Sequence, residues 1–228
     1  MFMQSLMAPL PKGINAAKPD VPKITVEPRR IAAFDIDGTL VNTPEIAINY
    51  ARNVMKASFD PDLYRTGGIE RAFPKLTKPQ LHRALSHSWS NLDTISLLNP
   101  KTQQIFDELR RDKWEIALLT ASRGEDRQIR KYFDEKAKVT YDYFMHVGGR
   151  EEKAAAPVSF IVDDSRRTAK VFGERGKPFI WFSKDSDPQI VAEILAYKSV
   201  FSVYDIDQVP EMVRTNERFL KLLRSGSN

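Results

Sequence analysis

The chain has 228 residues, of which 42% are hydrophobic, and this is enough for one large domain with an ample core. It contains no cysteine, which excludes disulfides, zinc–thiolate sites and thiol catalysis, and fits the reducing cytoplasm as the expected location. No apolar run reaches membrane-spanning length, so we expect a soluble protein without a membrane partner. The net charge of +5 favours anionic partners such as phosphate esters or nucleic acid, although the basic residues are scattered along the sequence.

Residues 1–30 contain five prolines and little hydrophobic periodicity. Such a stretch predicts an extended or disordered tail in front of the folded domain. Acidic residues are absent before Asp20, as in organellar transit peptides, but the arginines typical of those peptides are absent there too.

The first predicted strand, Ile31–Phe34, leads directly into the acidic turn Asp35-Ile36-Asp37-Gly38-Thr39. Two carboxylates at the end of a buried strand are costly unless their charge is compensated. A divalent cation compensates them well, because hard cations prefer carboxylate oxygens. The backbone N–H groups of Gly38 and Thr39 suit a phosphate, since they lie where the chain turns. The alternative is an acidic loop that binds no ion.

The next seventy residues show helical patterns and no convincing strand. Thr43-Pro44-Glu45 is a typical helix start, with a capping hydroxyl, a proline at the first helical position and then an acid. Lys78–Trp89 and Pro100–Arg110 are two further predicted helices. We therefore predict a helical insertion over residues 44–113 that covers the acidic turn.

The remainder of the chain alternates predicted strands with helical patterns. Four apolar runs predict buried strands, at Glu115–Leu119, Tyr143–Val147, Ser159–Val162 and Phe179–Phe182. This alternation predicts an α/β fold with a doubly wound, Rossmann-like parallel sheet and a ligand site beyond the carboxyl ends of its strands. The core domain would then comprise residues 31–43 and 114–228.

Polar residues follow two of these later strands. Thr120 and Ala121 end the first of them and place a hydroxyl where an anionic oxygen needs a donor, although a threonine there is more often a helix cap. Asp163 and Asp164 end another, and a second carboxylate pair at the same sheet edge completes an oxygen-rich magnesium site. Lys153, ten residues before Asp163, can supply the cation that a phosphoryl group and crowded carboxylates both need.

These motifs together resemble those of the haloacid dehalogenase (HAD) superfamily of phosphohydrolases with a small helical cap. The resemblance extends from Ile31 to about Phe182, and the first motif, Asp-x-Asp-Gly-Thr after a strand, is the most specific part of it. The other three motifs are matched by Leu118-Leu119-Thr120, by Lys153 and by Ile161-Val162-Asp163-Asp164. In some branches the cation follows the second motif, where this chain has Arg123, Arg127 and Lys131.

The resemblance implies a role for each matched residue. Asp35 would be the nucleophile that forms an aspartyl-phosphate, and Asp37 would protonate the leaving oxygen and later accept a proton from water. Mg²⁺ would be the cofactor, bound by Asp35, by the main-chain carbonyl of Asp37 and by the second acidic pair, with Asp164 favoured over Asp163 as the direct ligand. The phosphate-binding residues would be Gly38, Thr39, Thr120, Ala121 and Lys153.

The resemblance also implies a substrate class. Asp37 favours phosphatase chemistry over dehalogenation, because a departing alkoxide must be protonated and a departing halide need not be. The short spacing from Lys153 to Asp163 is similar to that of the 5′(3′)-deoxyribonucleotidases, so a nucleoside monophosphate is the leading expectation. A polynucleotide-end phosphatase, a small-metabolite phosphatase and a non-catalytic HAD-like binding protein are the alternatives.

The helical insertion is expected to select the leaving group. Its aromatic and basic residues are candidates to stack a base or hold a second anion, although most are expected to be core or solvated surface. These residues are Tyr64, Arg65, Phe73, Lys75, His82, His87 and Trp89.

Overall fold

The computed structural model describes residues 29–183 and 187–225, except for the side chains of residues 65–67. The predicted tail falls almost entirely on residues 1–28 and so lies outside the described residues. Six strands form one sheet: β1 (Ile31–Phe34), β2 (Glu115–Thr120), β3 (Tyr143–His146), β4 (Phe160–Asp163), β5 (Phe179–Phe182) and β6 (Val200–Val203).

The strand order is β3-β2-β1-β4-β5-β6, and all neighbouring strands are parallel. β1 lies inside the sheet, since the chain proceeds from it to β2 and β3 on one side and then returns to β4 on the other. The gap between β1 and β4 is thus the topological switch point, where open α/β sheets bind their ligands. The predicted doubly wound parallel sheet is confirmed.

Helices flank the two faces of the sheet and also form a separate layer beyond the carboxyl ends of its strands. Within the described part of the chain, no helix combines the length and the apolar character needed to cross a membrane. The α-helices are α1 (Thr43–Asn53), α2 (Pro61–Gly67), α3 (Ile69–Ala72), α4 (Lys78–His87), α5 (Thr102–Arg111), α6 (Asp126–Lys131), α7 (Arg150–Ala155), α8 (Arg166–Glu174), α9 (Pro188–Leu195), α10 (Val209–Thr215) and α11 (Glu217–Ser225).

Both faces of the sheet are covered. On one face, side chains of α5, α10 and α11 pack with Phe34, Leu118 and Phe160 from the strands. On the other face, α7, α8 and α9 pack against apolar strand residues that include Ile161 and Phe179. Central strands buried on both faces must be apolar throughout, which is why each reads as a continuous hydrophobic run.

The helices α1, α3 and α4 share an apolar cluster of their own, centred on Ala51, Phe73 and Leu81. α5 differs from them, although the predicted insertion over residues 44–113 includes it. Its amphipathic face packs Ile105 and Phe106 into the sheet core, so that by its contacts this helix belongs to the sheet layers.

Candidate active site

Three adjacent strands deliver polar residues to one edge of the sheet. Phe34 of β1 is paired with Leu118 of β2 and with Val162 of β4, so the residues that follow leave the sheet side by side. The Asp35 N–H donates to the Val162 carbonyl at 2.8 Å, which extends the β1–β4 pairing by one step. Parallel pairing alone therefore brings Asp35, Thr120 and the Asp163-Asp164 pair together, as the sequence predicted.

Asp35, Asp163 and Asp164 form a cluster of carboxylates. One oxygen of each lies within 4.8 Å of the others, a donor set compatible with a divalent cation. Lys153, which α7 presents with only 4% of its surface exposed, lies between two of them. Its Nζ is 2.7 Å from Asp35 Oδ1 and 2.8 Å from Asp163 Oδ2.

Burial and mutual repulsion control the charges of this cluster. Burial raises the pKa of Asp35 well above its ordinary value, Lys153 counteracts the shift, and the carboxylates of Asp163, Asp164 and Asp37 reinforce it. Burial and the charge of Asp163 raise the pKa of Asp164 to about 7. Burial also opposes the positive charge of Lys153, but Asp163 and Asp35 outweigh it and raise the pKa of this lysine. A lysine in this position is therefore a permanent cation.

Asp163 and Asp164 face different partners. Asp163 is fully buried, and its two oxygens accept hydrogen bonds from Lys153 Nζ and, at 2.8 Å, from the Ser165 N–H. Asp164 lines the cavity described below, and its main chain is held by Thr39 and Trp181, with the indole Nε1 donating to the Asp164 carbonyl at 3.1 Å. Asp163 therefore orients Lys153, whereas the carboxylate of Asp164 remains accessible to a ligand.

Gly38 makes room for the Asp164 carboxylate. Its backbone has φ +84°, a conformation that other residues rarely adopt. A Cβ at this position would lie 2.6 Å from Asp164 Oδ2, closer than any ordinary contact. The glycine is thus required both by the turn and by the approach of the carboxylate.

The backbone of the acidic turn forms internal hydrogen bonds at the two positions predicted to bind phosphate. The Gly38 N–H donates to the Val41 carbonyl at 2.9 Å, and the Thr39 N–H donates to the Ile36 carbonyl at 3.4 Å. The Thr39 hydroxyl also pairs with Asp164 Oδ1, at 3.3 Å. Both N–H groups are therefore used within the turn in this structure, and their binding of phosphate stays a prediction.

Asp37 points away from the carboxylate cluster and has donors of its own. Its Oδ1 accepts hydrogen bonds from the Thr43 hydroxyl and, at 3.1 Å, from Trp89 Nε1. The sequence predicted Thr43 as a helix cap, and this is corrected: α1 begins at Thr43 after the N-cap residue Asn42, and the hydroxyl is turned toward Asp37. The carboxylate of Asp37 lies outside the possible metal cluster, whereas its main-chain carbonyl stays a predicted ligand.

Trp89 is a site residue whose role the sequence analysis did not identify. It follows α4 in the helical layer, is almost completely buried and packs so closely on Gly124 that a Cβ there would lie 2.6 Å from the indole. Ser86 of α4 also donates to the Arg123 carbonyl, at 3.2 Å. The end of α4 is therefore docked on the loop after β2, and this docking carries the indole N–H to Asp37.

A cavity of about 1190 Å³ lies between the sheet edge and the helical layer. Asp35, Asp37, Gly38, Thr120, Ala121, Lys153 and Asp164 all line it, together with Tyr64 and Arg123. The Thr120 Oγ1 also accepts the Ser122 N–H at 3.0 Å, so this hydroxyl shapes the loop in addition to facing the cavity. Of the three alternative cations, Arg123 lines the cavity, whereas Arg127 and Lys131 are not among the described lining residues. Lys153 contacts Asp35 directly, and its role in holding phosphate stays a prediction.

The other candidate residues of the insertion are placed away from this cavity. Phe73 is buried in the cluster of the helical layer, and the His87 ring stacks on Tyr50 with ring centroids 3.8 Å apart. Lys75 is exposed and His82 is half-buried, and neither lines the cavity as far as the structure describes it. The side chain of residue 65 lies outside the described residues.

Comparison of the sequence with protein-family models and with curated proteins finds no match. Several solved structures do resemble the chain, at low identity. The haloacid dehalogenase-like hydrolase SP0104 from Streptococcus pneumoniae has a TM-score of 0.58 at 15% identity, over 79% of this chain and 96% of that one. The L-2-haloacid dehalogenase from Xanthobacter autotrophicus has a TM-score of 0.53 at 13% identity, over 82% and 99% of the two chains.

A protein described as a predicted phosphoglycolate phosphatase, from Haemophilus somnus 129pt, gives the same values: a TM-score of 0.53 at 13% identity, over 82% of this chain and 99% of that one. Identities this low show the fold alone. The chain thus has the haloacid dehalogenase-like α/β fold that its motifs predict.

Proposed function

We propose that this protein is a magnesium-dependent phosphomonoester hydrolase that works through an aspartyl-phosphate and acts on a nucleotide. The observation that carries the proposal is the placement of two unlike aspartates at one cavity. Asp35 lies against a permanent cation, and Asp37 has separate hydrogen-bond donors. Similar solved structures include a dehalogenase and a phosphatase by name, so the choice between these chemistries depends on Asp37.

Asp35 is the proposed nucleophile. A carboxylate oxygen attacks phosphorus, the new O–P bond forms as the ester P–O bond breaks, and the product is an aspartyl-phosphate. Lys153 is held 2.7 Å from Asp35 and so places its charge beside the transferring oxygens. Asp163 fixes the lysine in this position through the second hydrogen bond.

Asp37 is the proposed acid and base. It donates its proton to the leaving alkoxide and then takes one from the water that attacks the aspartyl-phosphate, which releases phosphate and restores Asp35. Both hydrogen bonds that the described residues donate to its carboxylate are accepted by Oδ1. Oδ2 is therefore the oxygen that we propose to carry the proton. A halide leaves without protonation, so a dehalogenase has no need of such a group.

Asp35 and Asp164 are the carboxylates proposed to hold Mg²⁺, with the main-chain carbonyl of Asp37. The donor set fits, since all three are oxygens and Asp163 is already engaged by Lys153 and Ser165. Bound there, the cation would screen the negative phosphate from the negative nucleophile.

The proposal is tested by product release from two substrates. We expect phosphate release from a chromogenic phosphomonoester only with Mg²⁺, and no halide release from a 2-haloacid. Halide release without phosphatase activity would favour the dehalogenase, and no product from either substrate would favour a non-catalytic protein. A panel of nucleoside monophosphates, sugar phosphates and phosphorylated oligonucleotide ends then distinguishes the substrate classes, with the nucleotides expected to be hydrolysed faster than the sugar phosphates.

Trp89 is expected to act on the reaction through Asp37 as a positioning residue. Trp89→Phe keeps an aromatic ring in place but removes the N–H bound to Asp37, a hydrogen bond with a net contribution of about 0.5–1.5 kcal/mol. We expect kcat to fall about tenfold on alkyl phosphates, which need a proton donor, and less on p-nitrophenyl phosphate, whose leaving group needs little protonation.

The matched control is Trp114→Phe. Trp114 is also buried, but its Nε1 has no hydrogen-bond partner among the described residues, so its removal should leave both rates unchanged. Equal losses on alkyl and aryl phosphates in the Trp89 variant would contradict a role through Asp37.

Metal binding is expected to reverse the pH dependence of stability. Without metal, Asp164 has a folded-state pKa of about 7, above its unfolded value of about 4. The folded state then holds a proton that the unfolded state has lost, so the free energy of unfolding decreases as the pH rises through this range. Mg²⁺ binds the ionised carboxylates and should stabilise more at about pH 8 than at about pH 5.

Melting curves at both pH values, with EDTA or with excess Mg²⁺, measure this effect. Asp164→Asn should flatten the metal-free pH dependence and remove most of the stabilisation by Mg²⁺. An equal shift of the melting temperature by Mg²⁺ at both pH values would contradict the assignment of the metal to this cluster.

A further inference from the structure

Two arginines and a glutamate meet on the wall of the cavity, away from the carboxylate cluster. Glu70 belongs to α3 of the helical layer, whereas Arg150 of α7 and Arg167 of α8 belong to the sheet layers. Arg167 Nη1 donates to Glu70 Oε2, and Arg150 Nη2 lies 3.6 Å from the same oxygen. One carboxylate of the helical layer is thus held by two guanidinium groups of the sheet layers.

The position of Arg150 relative to the nucleophile follows from α7. Arg150 precedes Lys153 by three residues, so the two side chains lie on the same helix face with Cβ atoms about 5–6 Å apart. Lys153 contacts Asp35. If the phosphate of a compound binds at Asp35, Arg150 would therefore lie within about the length of one helical turn from that phosphate.

The contacts of Glu70 are of the kind that a ligand can replace. The side chains of Glu70, Arg150 and Arg167 are 52%, 41% and 34% exposed, so solvent weakens the ion pairs between them. Guanidinium groups recognise carboxylates and phosphates by the same paired N–H···O geometry. The cavity, at about 1190 Å³, has room beyond a single phosphate.

We propose that Arg150 and Arg167 form a subsite for a second anionic group of the substrate, a carboxylate or a phosphate, and that Glu70 fills this subsite when no substrate is bound. The inference rests on the proposed function, since it places the scissile phosphate at Asp35. The site selects substrates that carry two anions separated by a short spacer. Among nucleotides, it favours those with a second phosphate over nucleoside monophosphates.

A chain-length series tests the subsite. The probes are ω-carboxyalkyl phosphates and α,ω-alkanediol bisphosphates, each paired with the alkyl phosphate of the same length. We expect the second anion to raise kcat/KM about tenfold or more at one spacer length, the effect of a single charge-assisted contact. The two probe series show whether carboxylate or phosphate is preferred.

Variants connect the effect to these residues. Arg150→Ala and Arg167→Ala should each reduce the ratio between the dianionic probe and its alkyl partner toward one. Glu70→Gln should raise the ratio, because the competing carboxylate is gone. Arg175→Ala, which removes an exposed arginine paired with Glu151 outside the cavity lining, should leave the ratio at the wild-type value.

Calorimetric affinities of the same probe pairs keep this test separate from the test of the phosphatase. Equal affinities and equal kcat/KM at every spacer length would overturn the subsite, and turnover of the alkyl phosphates would then leave the phosphatase proposal standing. If no probe is hydrolysed, the phosphatase proposal fails, and the affinity ratios alone support or overturn the subsite.

Discussion

Asp35→Asn is expected to abolish magnesium-dependent phosphate release while the fold stays intact. An amide is a far weaker nucleophile than a carboxylate, and removing a nucleophile costs at least about 10³-fold in turnover. The amide of asparagine is close in size to the carboxylate, and Lys153 keeps Asp163 as a partner, so the fold should persist. Single-turnover phosphate release and circular dichroism measure the two expectations.

Asp107→Asn is the matched control for this variant. Asp107 is an exposed residue of α5 that pairs with Arg110, and its amide variant should keep the wild-type rate. After acid quench, the wild-type protein should carry a phosphoryl group on Asp35, and the Asp35 variant should carry none. An Asp35→Asn protein with undiminished turnover would rule out the aspartyl-phosphate mechanism.

Lys153→Met is expected to reduce both activity and stability. The substitution leaves the buried carboxylates of Asp35 and Asp163 without their shared cation, and removing one partner of a buried ion pair costs about 3–5 kcal/mol. Phosphate release should fall to background, because the transferring oxygens lose the positive charge that Lys153 holds beside Asp35. Urea unfolding at neutral pH and phosphate release measure the two losses.

Two further variants separate the lost charge pair from the lost side chain. Lys170→Met removes a partly exposed lysine that pairs with Glu193 and should change stability little. In the double variant Lys153→Met with Asp163→Asn, one of the two stranded charges is neutral, so part of the lost stability should return without any activity. A double variant no more stable than Lys153→Met would show that the charges of the cluster are not the cause.

The sequence predicted the framework of the site because that framework consists of local patterns. The strands that build the site are apolar runs followed by a polar residue: Asp35 follows Phe34, and Asp163 follows Val162. Parallel strands share one carboxyl edge, so a rule of topology was enough to place Asp35, Thr120 and Asp164 together. Two of the five predicted strands have the predicted bounds, and the ends of the other three differ by one residue. Backbone pairing extends past the apolar run to Thr120 and Asp163, and it stops at His146, one residue before the predicted end.

Local patterns could not predict the contacts between segments that are distant in the sequence. The hydrogen bond between Trp89 and Asp37 joins residues that are 52 positions apart in the sequence, and the one between Arg167 and Glu70 joins residues 97 positions apart. In the sequence, Trp89 is one aromatic residue among several in the insertion, and nothing local distinguishes it. In the sequence, the amphipathic pattern of α5 resembles that of the other helices of the insertion. The strands that this helix covers lie elsewhere in the chain, so the pattern alone did not assign it to the sheet.

The sequence by itself was enough to predict the α/β fold and to single out the two aspartates and the strand ends near them. This is because the hydrophobic pattern of each strand is a local property of the sequence. Only the tertiary structure decided how the partners are shared: Asp163 with Lys153, Asp164 toward the cavity, and Asp37 with Thr43 and Trp89. Hydrogen-bond donors within a turn can bond to the turn itself or to a ligand, and in this structure the Gly38 N–H donates to the Val41 carbonyl. Packing between layers makes that choice, and it is therefore visible only in the folded chain.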